Sequence, residues 1–176
     1  MKKDEIYDAL LEPIAVMALE RDGAILSKSA ALLQEKMGFW WTGFYLVEDR
    51  LGDWKGLDTG VAPEQVKDEE IQPGKGPWMM LGPSVGPPAC ERIRFGRGVC
   101  GTAWAEKRTV VVPDVDEFPG HIACSSETRS EIVVPVFKDG EVAGVLDIDS
   151  REPANFDSVD AGWLERICAL VSSALA

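Results

Sequence analysis

The sequence predicts an α+β domain in which helices cover an antiparallel sheet, and three observations carry that expectation. Apolar residues recur at helical spacing at both ends of the chain. Between them lie several short segments rich in β-branched and aromatic residues. Two of these, IVVPVF and EVAGVLDID, flank KDG, a hairpin signal. The 176 residues are read as one domain, large enough to bury roughly two thirds of its unfolded surface without a disulfide or a metal.

Ile6, Leu10, Ile14 and Met17 follow Asp4 at helical spacing, with Pro13 expected to bend or shorten the segment. Ile25, Leu32 and Leu33 predict a second helix ending at Gly38. WWTGFYLVE predicts a strand from Trp40 to Val47. Residues 49–78 are polar and rich in Gly and Pro, and are read as a loop insertion of a length that usually serves function. Short strands are expected at Met79–Leu81 and Ala89–Ile93. FGRGVCGTAWAEKR then opens on glycine as a helix with Val99, Ala103 and Trp104 on one face. Strands follow at Thr109–Val112, Ile132–Phe137 and Glu141–Asp149. The closing helix has Asp157 as its N-cap and carries Val159, Trp163, Ile167, Leu170 and Val171. No internal repeat is visible.

Thirty acidic against 18 basic residues give a net charge of −12, which argues against nucleic acid or an anionic membrane as partner. No apolar run reaches membrane-spanning length, and the start is acidic by its fourth residue, so a soluble cytoplasmic protein is expected. In a reducing compartment the four cysteines are not a structural disulfide framework.

Cys168, beside Ile167 in the closing helix, is read as a core residue. Zinc would want ligand pairs two to four residues apart, and only His121 with Cys124 is so spaced, so neither metal nor cofactor is expected and His121 is read as orienting its loop. Redox chemistry fits better. A thiol that takes an oxygen becomes a sulfenic acid, which a second thiol condenses to a disulfide, and both must sit on exposed backbone. Cys90 and Cys124 lie among Gly, Pro and Ser. Cys100 lies in the first turn of its helix, where the dipole favours thiolate, so it competes for the nucleophile's role against a buried alternative.

GVLDIDS places Asp147 and Asp149 on one face of a strand, with Leu146 and Ile148 on the other. Whether Glu131 joins them depends on the hairpin. A two-residue Asp139-Gly140 turn pairs Ile132 with Asp147 and turns Glu131 away. A three-residue turn over Lys138, Asp139 and Gly140 pairs Ile132 with Leu146 and Glu131 with Asp147, and is expected because it matches like with like. Three carboxylates on one face repel, raising at least one pKa and keeping a proton beside a thiol near neutral pH. Sulfoxide reduction needs that pair, because the leaving oxygen must be protonated.

WTGFYLVE, the G-x-P-A-C at Cys90, RIRFGRGVCGTA, VPDVDEFPGHIAC, SEIVVP and GVLDIDS together resemble the free methionine-(R)-sulfoxide reductases, a GAF-domain family. The resemblance runs from Trp41 to Ser150 and implies a GAF-like sheet of about six strands. It implies reduction of the free amino acid's sulfoxide with Cys124 as nucleophile and Cys90 as resolving thiol, Cys100 being auxiliary. Thioredoxin would reduce the disulfide. Glu131, Asp147 and Asp149 would hold the sulfoxide oxygen and the ammonium, Trp41 or Tyr45 would contact the S-methyl group, and the enzyme would be a homodimer. Two departures stand out: P-S-V-G at Pro83–Gly86 replaces P-F-Q-G, and residues 49–78 replace a short turn. The alternative is a GAF module that senses a ligand or redox state without turnover.

Overall fold

The computed structural model describes residues 1–61, 77–122 and 124–176. Helix α1 spans Lys3–Leu19 without interruption through Pro13. The proline lies on the exposed side, where the freed carbonyl of Ala9 reaches water, while Tyr7, Leu10, Ile14 and Ala18 bury the opposite face. That packing keeps the helix continuous through a residue expected to bend or shorten it. Helix α2 covers Ile25–Met37 and stops at Gly38, whose φ of 71° is the left-handed cap glycine allows.

Six antiparallel strands follow: β1 (Trp41–Val47), β2 (Trp78–Val85), β3 (Arg92–Arg94), β4 (Val110–Val112), β5 (Ser130–Lys138) and β6 (Glu141–Ser150), in the order β3-β2-β1-β6-β5-β4. Helix α3 (Gly98–Glu106) crosses between β3 and β4, and α4 (Ser158–Ser173) closes the chain. Asp157 caps α4 by accepting from the backbone N–H groups of Val159 and Asp160.

Strand alternation divides the core. Phe44, Leu46, Ile132, Val134, Leu146 and Ile148 face α1, α2 and α4, joined there by Leu33, Leu164 and Ile167. Tyr45, Val47, Val133 and Val145 face α3, with Val99, Cys100 and Ala103. Within the helix layer the fully buried Asp160 accepts from the Tyr7 hydroxyl at 2.6 Å and pairs with Lys3 at 2.7 Å, fastening α4 to α1.

Two strand expectations are corrected. Strand β2 runs on past Leu81 to Val85, because β1 pairs with it at Thr42–Val85 and Gly43–Ser84 beyond an irregularity. Pro83 sits at that irregularity, where a missing N–H costs no ladder bond. Ala89 and Cys90 precede β3 as loop instead of belonging to a strand. The first residues of the expected 49–78 insertion form a 3₁₀ turn, Glu48–Trp54, that buries Trp54 and lets its indole N–H donate to the Ala143 carbonyl at 3.1 Å. The insertion's residues 62–76 lie outside the described residues.

The hairpin register also differs. Asp139 and Gly140 both have positive φ, 53° and 78°, which makes a two-residue turn with Lys138 opposite Glu141. An extra residue, Ala143, between Val142 and Gly144 then shifts the ladder, so Ile132 pairs with Ile148 and Glu131 with Asp149. Like still meets like, and Glu131 stays on the aspartates' face.

Candidate active site

The face of β5 and β6 turned toward α3 carries Glu131, Asp147 and Asp149 into a cleft. Tyr45 of β1, Val99 and Cys100 of α3, and His121, Cys124 and Thr128 from the β4–β5 connection complete its walls. Gly101 allows α3 to sit this close, since a Cβ there would lie 2.5 Å from the Arg94 carbonyl.

Cys90 and Cys124 form a disulfide, their Cα atoms 5.3 Å apart. Cys90 lies on the β2–β3 connection and Cys124 on the β4–β5 connection, so the bond ties two loops together at the cleft. Both residues are half-buried. Tyr45 donates its hydroxyl hydrogen to the Cys90 carbonyl at 2.8 Å. Trp41 stands behind it: its ring centroid is 6.1 Å from that of Tyr45, its indole N–H donates to the Pro87 carbonyl at 3.0 Å, and it does not line the cleft.

Two of the three carboxylates, Glu131 and Asp147, are buried where water screens them little. Glu131 is 6 % and Asp147 5 % exposed. Burial, and then the charge of Asp149, push the Glu131 carboxyl up to about 8. Burial followed by Glu131 raises Asp147 well above the carboxylate range, and burial followed by Asp147 raises Asp149. Asp149 Oδ2 accepts from Thr128 Oγ1 at 3.4 Å. The Oδ1 atoms of both aspartates are buried with no hydrogen-bond donor among the described residues. Such orphaned acceptors suit a donor supplied by a ligand, an ammonium above all.

Cys100 departs from the helix-dipole expectation. It is 3 % exposed, and burial together with Asp147, Glu131 and Asp149 holds its thiol protonated, well above the usual range. Its Sγ and one oxygen each of Glu131 and Asp147 lie within 4.8 Å of one another, the one trio among the described residues spaced to share a metal ion. Groups held protonated make poor ligands. The His121–Cys124 pair weighed for zinc has its sulfur committed to the disulfide. His121 instead places Nε2 3.5 Å from Glu131 Oε2, and burial lowers its pKa, leaving the ring neutral. Cys168 is buried against the helix-layer core, as expected.

Thr128 and Arg97 line the cleft without having been singled out from the sequence. Thr128 gives no local signal. Arg97 stands inside the GRGVCG string that was read for its helix start and its cysteine.

A GAF-domain family profile matches residues 23–176. The chain is 37% identical over 179 residues to the free methionine-R-sulfoxide reductase of Escherichia coli, covering 100% of this chain and 92% of that protein. The chain belongs to this GAF-fold reductase family. It is 41% identical to GAF domain-containing protein A of Dictyostelium discoideum, over 97% of this chain and 93% of the relative. The X-ray structure of the Neisseria meningitidis free methionine-R-sulfoxide reductase, in complex with its substrate, superposes with a TM-score of 0.81 at 42% identity, covering 99% of this chain and 90% of that one. No helix among the described residues of this free methionine-R-sulfoxide reductase family member is long and apolar enough to cross a membrane.

Proposed function

We propose that this chain reduces free L-methionine (R)-sulfoxide to methionine by a thiol cycle. The observation that carries the reading is the Cys90–Cys124 disulfide at the edge of a cleft floored by three carboxyl groups, two of them buried. The Cys124 thiolate attacks the sulfoxide sulfur while Glu131, assisted by Asp149, protonates the oxygen. The oxygen leaves the substrate for the Cys124 sulfur, giving methionine and a sulfenic acid. The Cys90 thiol then attacks Cys124: the S–S bond forms, the S–O bond breaks and the Cys90 proton leaves in water. Thioredoxin reduces the disulfide and resets the enzyme.

Asp147 and Asp149, each with an orphaned buried oxygen, hold the substrate ammonium. Tyr45 forms the aromatic wall for the S-methyl group and Trp41 backs it. Cys100, kept protonated among the carboxyls, is auxiliary. The enzyme works in the cytoplasm as a homodimer, where thioredoxin is reduced.

The experiment is a coupled assay with thioredoxin, its reductase and NADPH. NADPH oxidation is expected with the R epimer of free methionine sulfoxide and not with the S epimer, and Cys124→Ser abolishes it. No turnover with either epimer ends the reading. A sensor without turnover would instead keep its ligand response in Cys124→Ser.

A further inference from the structure

A free amino acid presents two opposite charges, and the carboxyl groups described so far provide for only one of them. Among the described residues lining the cleft, Arg97 is the single permanent cation. It is the N-cap residue of α3, it is exposed, and its guanidinium makes no ion pair or hydrogen bond among the described residues. Elsewhere in this acidic chain several basic side chains are taken up by neighbouring carboxylates, among them Arg50 by Asp53 at 2.6 Å, Arg92 by Glu48 at 2.8 Å and Lys107 by Glu141 at 3.1 Å. His121, the other basic group on the cleft wall, is neutral.

We propose that Arg97 binds the α-carboxylate of the substrate and so makes the site selective for a free amino acid over a methionine sulfoxide inside a peptide, an assignment that rests on the function proposed above. The guanidinium offers a planar pair of donors matched to a carboxylate, while the orphaned Asp147 and Asp149 oxygens take the ammonium. A peptide bond on either side of the substrate removes one charge. It leaves Arg97 or the aspartate pair facing a neutral amide, a mismatch that discriminates more sharply than shape does.

The test compares wild type, Arg97→Ala and Arg97→Lys on free methionine (R)-sulfoxide and on its α-amide, which keeps the ammonium and loses the carboxylate. Arg97→Ala is expected to raise KM for the free amino acid roughly 10- to 100-fold with kcat little changed, the size of one lost charge-assisted contact. The wild type should show a similar penalty on the amide, Arg97→Ala should add none on top of it, and Arg97→Lys should recover part of the affinity. If Arg97→Ala leaves KM unchanged, or weakens the amide as much as the free amino acid, the assignment is wrong while the reductase reading survives. No turnover by the wild type would remove both.

Discussion

The hydroxyl of Tyr45 donates a 2.8 Å hydrogen bond to the carbonyl of Cys90, so one wall of the cleft also fixes the backbone of the cysteine proposed to resolve the sulfenic acid. Tyr45→Phe keeps the ring and drops that anchor. Release of the first methionine should be unaffected, while formation of the Cys90–Cys124 bond should slow by up to about tenfold, the worth of one neutral hydrogen bond. Rapid-quench analysis separates the two steps. Equal slowing of both would show that the phenol acts on the substrate instead.

Glu131 gives a pH signature in both rate and stability. In its proposed role as proton donor it must be protonated, so activity should fall as pH rises through about 8. Its folded pKa lies above the ordinary 4.5, so the native state binds the proton more tightly than the unfolded chain does. Its contribution to stability is therefore complete below pH 4.5 and is lost progressively up to about 8. Glu131→Gln stays neutral throughout, so the variant should gain stability relative to wild type across that window while losing roughly 100-fold or more in kcat. Denaturant midpoints at several pH values and a pH–rate profile measure the two effects.

Cys100 is held as a thiol by burial and by three neighbouring carboxyl groups, which argues against a nucleophile's role. Cys100→Ser should still release methionine and still close the Cys90–Cys124 bond, seen by mass spectrometry of the protein after substrate is added without reductant. Cys90→Ser should stop after one turnover with a sulfenic acid at Cys124. If the first turnover disappears in Cys100→Ser and persists in Cys124→Ser, the roles are reversed.

Trp54 is 1 % exposed and its indole N–H meets the Ala143 carbonyl. Trp54→Ala should therefore cost roughly 3–5 kcal/mol, read from urea unfolding, as truncation of a buried aromatic does. A loss below about 1 kcal/mol, the ordinary effect of a surface substitution, would mean that the turn after β1 is peripheral.

Elements whose signals are local were legible in the sequence. Gly38 ends α2 and Asp157 starts α4 because cap chemistry is written in the capping residue itself. The shared face of Asp147 and Asp149 follows from strand alternation. Trp54 was hidden because a lone tryptophan among Gly, Asp and Lys declares nothing, and its partner, Ala143, is distant in sequence. The hairpin turn was misjudged because no residue type marks Ala143 as a bulge. Expected and observed registers nevertheless differ by two residues, an even shift that leaves Glu131 on the correct face. The pairing of Cys90 with Cys124 came from family resemblance, since loop closure between residues 34 apart has no local signature. Arg97 and Thr128 went unnoticed because a cleft wall assembled from separate segments is a property of the folded chain.

The bridge between the two loops also dictates an order of events. Its sulfurs come from opposite connections of the sheet, and in the proposed cycle one of them takes the substrate's oxygen, so the oxidised and reduced forms serve different visitors. In that cycle oxidant and electron donor never share the protein: each arrives only after the other's product has gone. Steady-state velocities plotted in double-reciprocal form at several donor concentrations should give parallel lines. An enzyme working by that cycle stores two electrons between visits, so its resting form in a cell records which of the two callers came last.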